Sequence, residues 1–262
     1  MQIQKNLPFF NVVATGVASL ALPLGMTYER IILELGGTAF TKAHITDLKA
    51  KINGKVVWQT TGPRLDALNK YRGLTTDANH LVLDFTEIFA RDEVGQSLGA
   101  IGTKDGVGSF TLEVTITGAT APTLESWSVL SGPKSLGVIS KLLSYNVNLG
   151  AGGKFPVVLP YGNQGGSIIK RVGFFNAYMT ELEVKKNGLV IHDTKKAINE
   201  FFQVENKKVP QAGLYVADFV VDNNQSGMLV TADAKSMEWN VTVSQADVIT
   251  VQVEYIDVLN NL

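Results

Sequence analysis

Cysteine is absent from the 262 residues, which excludes disulfides, thiolate metal sites and a cysteine nucleophile. Charge of one sign is missing too: 23 Lys and Arg stand against 24 Asp and Glu, for a formal net charge of −1. No Lys/Arg cluster is longer than a pair, so the chain has no long-range field with which to hold a polyphosphate, and nucleic-acid binding is not expected. No apolar run reaches the roughly 18 residues needed to cross a bilayer as a helix. Histidine is scarce: His44, His80 and His192 are far apart, without a second His at metal-ligand spacing. They read as surface or satisfied edge positions rather than zinc ligands. There is no G-x-S-x-G elbow, H-E-x-x-H, Walker loop or dinucleotide fingerprint, so no enzyme is expected. The Gly150–Gly153 and Gly162–Gly166 runs neither follow a buried parallel strand nor open a helix, and read as loop turns rather than phosphate cradles.

What is present is a repetition. Leu22-Pro23-Leu24-Gly25 returns as Leu159-Pro160-Tyr161-Gly162, and the segment Ile52 to Thr60, with Asn53-Gly54 near its start, returns as Lys186 to Thr194 with Asn187-Gly188. A short helix-like segment follows in both halves, then Asp84-Phe85 and Asp218-Phe219. The landmarks are 137, 134 and 134 positions apart. Constant spacing in the same order predicts two copies of one fold. Strands dominate: Leu112, Val114 and Ile116 alternate with Glu113, Thr115 and Thr117, and Val251, Val253 and Tyr255 alternate with Gln252 and Glu254. Half-buried strands of this kind fit antiparallel sandwiches. Further strands are expected at 30–35, 48–52, 56–59 and 81–85, with counterparts at 168–174, 181–185, 189–192 and 215–220. The two Asn-Gly pairs predict tight hairpin turns.

Leu65, Leu68 and Tyr71 give one helix an apolar face, and Ile198, Phe201 and Phe202 give the other a stripe; both are read as plugs closing one end of a sandwich. Gly118 to Pro122 reads as the domain boundary, giving domains 1–122 and 123–262 with 124–133 as a connector. Gly95 to Gly108 reads as a long surface loop. Lys5 followed by the apolar residues Leu7, Phe9, Phe10, Val12 and Val13 has a trace of a signal peptide, but Asn11, Thr15, Gly16 and Ser19 interrupt it; an arm and a first strand are expected instead.

The residues with chemistry to offer are few. Asp218, Asp222, Asn223 and Asp233, with Asn224, supply hard oxygen donors of the kind that bind Ca²⁺, although Asp and Asn are also turn material and match no EF-hand spacing. Glu87, Arg91, Asp92 and Glu93 form a charged patch that reads either as a solvated loop or as an intersubunit ion-pair network. Trp58 and Trp239 read as core anchors, and Trp127 as the one tryptophan outside a strand.

Taken together, Leu22-Pro23-Leu24-Gly25-Met26-Thr27-Tyr28-Glu29, the Asn53-Gly54-Lys55 hairpin, the Pro122 connector and the closing strand Thr250 to Tyr255 resemble the double jelly-roll major capsid proteins of PM2-like membrane-containing bacteriophages, the corticovirus group. The resemblance covers nearly the whole chain. It implies an all-β chain of two tandem eight-stranded antiparallel jelly rolls with short plug helices. It also implies a homotrimeric, pseudo-hexagonal capsomer, made in the host cytoplasm and tiling an icosahedral virion shell over an internal membrane. The expected partners are neighbouring capsomers and minor capsid, vertex and membrane-associated virion proteins. Calcium accompanies the group, and no ligand set transfers residue by residue. In this setting the Leu7 to Val17 arm is expected to bind a neighbouring subunit or lie toward the membrane. The competing reading is a tandem sandwich that binds carbohydrate, as a module or as part of a phage adhesin, because fold alone does not decide function.

Overall fold

The computed structural model describes residues 1–162 and 166–262, and the chain divides into two compact units. The first holds Met1–Lys70, Leu74–Leu143 and Ile256–Leu259; the second holds Tyr71–Gly73, Ser144–Tyr255 and Asn260–Leu262. In chain order the elements begin with β1 (Gln2–Lys5), β2 (Gly16–Ala21), β3 (Thr27–Ala39), β4 (Ile45–Ile52), β5 (Lys55–Thr60) and α1 (Gly62–Arg72). There follow β6 (His80–Asp84), α2 (Glu93–Ser97), β7 (Ile101–Gly102), β8 (Phe110–Ile116) and β9 (Thr120–Ser131). Next come β10 (Val138–Leu149), β11 (Gly153–Val157), β12 (Ile168–Phe175), β13 (Met179–Lys186), β14 (Leu189–Lys195) and α3 (Lys196–Glu205). The last are β15 (Leu214–Asp218), β16 (Leu229–Val230), β17 (Met237–Val243) and β18 (Asp247–Val258).

The two units repeat each other strand for strand. In the first, β1-β9-β3-β6 form one run of neighbours and β2-β8-β4-β5 the other, with the short β7 on β3. In the second, the runs are β10-β18-β12-β15 and β11-β17-β13-β14, with the short β16 on β12. Each unit is therefore an eight-stranded sandwich plus one short strand, as the period-2 patterning predicts. Inward residues fill each core: Leu20, Ile31, Leu33, Leu48, Leu112 and Val114 in the first, and Val172, Phe174, Leu182, Val241 and Val253 in the second. Each such side chain contributes about 1.5–3 kcal/mol through burial. Trp58 meets Phe85 edge-on at 5.1 Å, and Trp239 meets Phe219 edge-on at 6.3 Å.

The repetition extends to individual bonds. Asn53 and Asn187 both sit at φ 52°, each followed by a glycine at φ 79° or 80°, as an Asn-Gly hairpin turn requires. Beyond making the turn, each asparagine clamps a distant loop. Asn53 Oδ1 accepts from the Gly108 and Ser109 amides (2.7 and 3.2 Å), and Asn187 Oδ1 accepts from those of Lys235 and Ser236 (2.6 and 3.2 Å). Both hairpins carry a register shift at the same place, Ala50/Lys51 in one and Val184/Lys185 in the other. Helix α1 is anchored by Asn69 Nδ2, which donates to Val82 O at 2.8 Å, and α3 by Gln203 Nε2, which donates to Val216 O at 2.8 Å. Asp84 and Asp218 each accept the amide two residues on and face an arginine across the strand pair, Arg30 or Arg171.

Three expectations require correction. Pro122 is no boundary: it lies within β9, which pairs with β3 from Thr27↔Ser131 to Ala39↔Thr120 and with β1 on its other side. The strand escapes the hydrophobic pattern because two of its inward positions are the buried Ser126 and Ser128, while Trp127 faces outward, half-buried. The first unit accordingly runs on to Leu143. Second, Gly95 to Gly108 is not all loop. It contains the end of α2 and all of β7, Ile101 is fully buried, and Thr103 Oγ1 accepts from Gly25 N and donates to Met26 O. A side chain at Gly99 (φ +92°) would place its Cβ 2.6 Å from Phe85 O, so that close approach needs glycine. Third, Leu7 to Val17 is not an arm ahead of the first strand, because Gln2–Lys5 already occupies the place in its sheet that β10 holds in the second. The segment links β1 to β2, with Phe9 buried and Phe10 bridged to Ser19.

Candidate functional site

The four oxygen donors singled out for calcium do not converge. Asp218 Oδ2 accepts from Arg171 Nε and Tyr71 Oη, both at 3.0 Å, and its Oδ1 accepts from the Val220 amide. Asp222 closes a turn onto the Asn224 amide, and Asn223 Oδ1 accepts from Lys208 Nζ at 2.7 Å. Asp233 pairs with Lys186, whose ammonium holds the carboxyl below its usual range. A cation or an amide thus engages at least one side-chain oxygen of each. Among the described residues no group of three or more His, Asp or Glu side chains is placed to hold an ion. The residues present do not fit a calcium site at this loop.

Sequence reasoning passed over the charged cluster that Asp218 actually joins. Arg171 bridges Asp218 and Glu254 (Nη1 to Oε2, 3.0 Å), and Lys170 lies 2.7 Å from Glu254 Oε1. All four are buried or nearly so. Adjacent Lys170-Arg171 inside the otherwise apolar β12 was the signal: cations within a core strand demand buried anions.

The remaining candidates resolve into scaffold. Of the charged patch, Glu87 is fully buried and Asp92 caps α2 by accepting from the Gly95 amide at 2.8 Å, while Arg91 and Glu93 are exposed. His44 closes a turn with Thr41, and His80 pairs with Asp77. His192 Nε2 lies 2.9 Å from Tyr215 Oη and 3.0 Å from Thr194 Oγ1. Burial pushes the His192 imidazole below its ordinary pKa, against the opposing pull of Asp193, and raises the Tyr215 phenol. Trp127 stands in a strand with the Lys5 ammonium 5.3 Å from its ring centroid, so it offers no free platform for a sugar. Gly153 opens β11, and the Gly162 to Gly166 run lies partly outside the described residues.

What the surface offers instead is apolar. On α3 the buried residues are Asn199 and Gln203, which both donate to Val216 O, while Ile198, Phe201 and Phe202 face solvent. The stripe expected to plug a sandwich is turned outward, because the two amides win the inward face by satisfying a buried carbonyl. On α1 the expected face does turn inward at Leu65, in the core, and at Leu68, packed against it, whereas Tyr71 is buried with its hydroxyl on Asp218. Ile3, Leu7 and Phe10 are exposed as well.

The chain thus presents two tandem sandwiches with a shared set of internal bonds and large outward-facing apolar side chains. The family models agree. Residues 3–131 match the viral coat protein P2 N-terminal domain and residues 139–259 match the viral coat protein P2 C-terminal domain, and the chain belongs to this family of viral coat proteins. Its place is the virion shell. Among solved structures it is similar to the major capsid protein P2 from bacteriophage PM2, at 20% identity and a TM-score of 0.92, over 100% of this chain and 99% of that one. It is also similar to a chain in the atomic structure of Sulfolobus turreted icosahedral virus (14%, TM-score 0.70, 99% and 91%) and to one in the PBCV-1 virus capsid (12%, TM-score 0.64, 97% and 92%). These likenesses establish the double jelly-roll fold. No curated protein matches the sequence.

Proposed function

We propose that this coat protein is the subunit of a homotrimeric capsomer with a pseudo-hexagonal outline, and that such capsomers tile an icosahedral shell over an internal membrane. The observation that carries the reading is the tandem of two coat domains in one chain, repeated strand for strand and in the bonds that hold their hairpins and helices. Three such chains around a closed three-fold axis present six similar units, which pack as hexagons without six separate subunits. A net charge of −1 suits this packing, since like-charged subunits repel one another. The role is passive: the chain holds neighbours and catalyses nothing, and its partners are its own copies and the minor, vertex and membrane-associated proteins of the particle. Mass measurement of the purified chain, followed by electron microscopy, tests the proposal. A stable trimer with a hexagonal outline is expected; a monodisperse monomer that never assembles overturns it.

A further inference from the structure

Helix α3 leaves uncovered an apolar arc that its own unit does not use. Ile198 is 61%, Phe201 65%, Phe202 52% and Val204 56% exposed. At 100° per residue these four, with the exposed Ala197, cover about 160° of the helix circumference, interrupted only in the last turn by Glu205 and opposite the buried Asn199 and Gln203. Taking about 150–250 Å² for a large side chain, the arc exposes roughly 400 Å², comparable to the largest patch on a typical monomer. That is about half of what one partner gives to a standard interface of about 800 Å² per side. The fold does not require these residues. The corresponding positions of α1, 134 residues earlier, are Arg64, Ala67, Leu68 and Lys70, and α1 docks on its strand by the same amide-to-carbonyl bond.

We infer that the Ile198-Phe201-Phe202-Val204 face of α3 is a docking surface for a second copy of this chain. The inference rests on the coat-protein assembly proposed above and assigns it a surface. Two observations favour a protein copy over a lipid surface. An interfacial helix needs a basic polar face toward the headgroups, and here the polar face is turned inward and its one cation, Lys196, is paired with Glu200. From Asp193 to Lys207 the acidic Asp193, Glu200 and Glu205 also cancel Lys195, Lys196 and Lys207, leaving no attraction to anionic headgroups. Two adjacent phenylalanines flanked by Ile and Val are the large apolar anchors that dominate protein interfaces. In a trimer closed around a three-fold axis the contact is head-to-tail, so α3 of one copy meets a different surface of the next.

The test uses the full chain. Phe201→Asp and Phe202→Asp should keep the wild-type circular dichroism melt and self-associate at least tenfold more weakly by sedimentation. A photo-crosslinking benzoylphenylalanine at position 201 should join chain to chain. If the wild type assembles and both variants assemble equally well with no chain-to-chain crosslink, α3 is not the surface while the coat assembly stands. If the wild type never associates at any concentration, both fall. Crosslinking to anionic phospholipid vesicles in preference to protein would assign the face to lipid and overturn the inference. Should an aspartate variant unfold, the crosslink alone decides: a chain-to-chain product supports the surface, and none defeats it.

Discussion

Helices α1 and α3 occupy the same place in the two units and are pinned by the same kind of bond, yet they treat their apolar residues in opposite ways. Helix α1 buries Leu65 and Tyr71, whereas α3 buries Asn199 and Gln203 and turns two phenylalanines outward. The difference shows that in a duplicated scaffold the anchoring bond sets the helix position and leaves the outer face free to diverge. The same holds at the arginine–aspartate pairs. Arg30 is partly exposed and reaches Asp84 at 3.3 Å, while Arg171 is buried and bridges Asp218 and Glu254.

The sharpest way to break this comparison is at those arginines. Arg171→Met removes the cation shared by two buried carboxylates, leaving Glu254 to Lys170 and Asp218 to Tyr71, and should cost about 3–5 kcal/mol, whereas Arg30→Met takes a partly exposed arginine from a buried Asp84 that still accepts from Thr86, and should cost less. Urea midpoints of the two variants measure the gap; equal losses would mean that the two pairs are energetically the same device. A smaller contrast lies in the helix anchors. Asn69→Ala removes the one side-chain donor from α1 to Val82 O that matches the Gln203 bond, and should cost about 1–2 kcal/mol. Gln203→Ala leaves Asn199 still donating to Val216 O and should cost less in the same assay. If Gln203→Ala is the more damaging, the two amides are not sharing one carbonyl's stabilisation.

The smallest expected effect is a pH dependence confined to one unit. Position 58 is Trp, buried and donating to Ser140 O at 3.1 Å, and the matching position 192 is His. Because the folded imidazole is held below its ordinary value of 6.5 by burial, the unfolded chain takes up the proton first. The contribution is therefore complete above about pH 6.5 and is lost as pH falls through the window down to the folded value. Between pH 7.5 and 5 the melting temperature of the wild type should fall further than that of His192→Gln; parallel curves would remove His192 as a titrating group.

The fold was legible where chemistry leaves local marks. Asn-Gly turns demand positive φ, and alternation demands a two-faced strand, so the hairpins and β8, β17 and β18 could be read directly. β9 could not, because serines fill inward positions and no periodicity measure counts Ser126 or Ser128 as core. The outward turn of α3 was hidden for a related reason: its stripe has helical spacing whichever way it faces. Only the carbonyl of Val216, brought close by the sheet, selects the amide side. The surroundings of the calcium candidates were hidden too, because composition gathers Asp and Asn in sequence without revealing that Arg171, Lys208 and Lys186 arrive from other strands and loops at Asp218, Asn223 and Asp233.

The paired landmarks also act as a ruler. Their separation is 137 at Pro23 and Pro160, 141 at Arg30 and Arg171, 134 at Asn53 and Asn187, still 134 at Asp84 and Asp218, and 127 at Gly108 and Lys235. Each change in the reading marks residues gained or lost by one copy, and from the hairpin through the helix to the aspartate the reading does not move. That span of 32 residues behaves as a single cassette in which length is fixed while outward-facing identity is free. Insertions into this coat protein should therefore be sought where the ruler jumps, in the stretches before Asn53 and after Asp84 and in their counterparts, and not between.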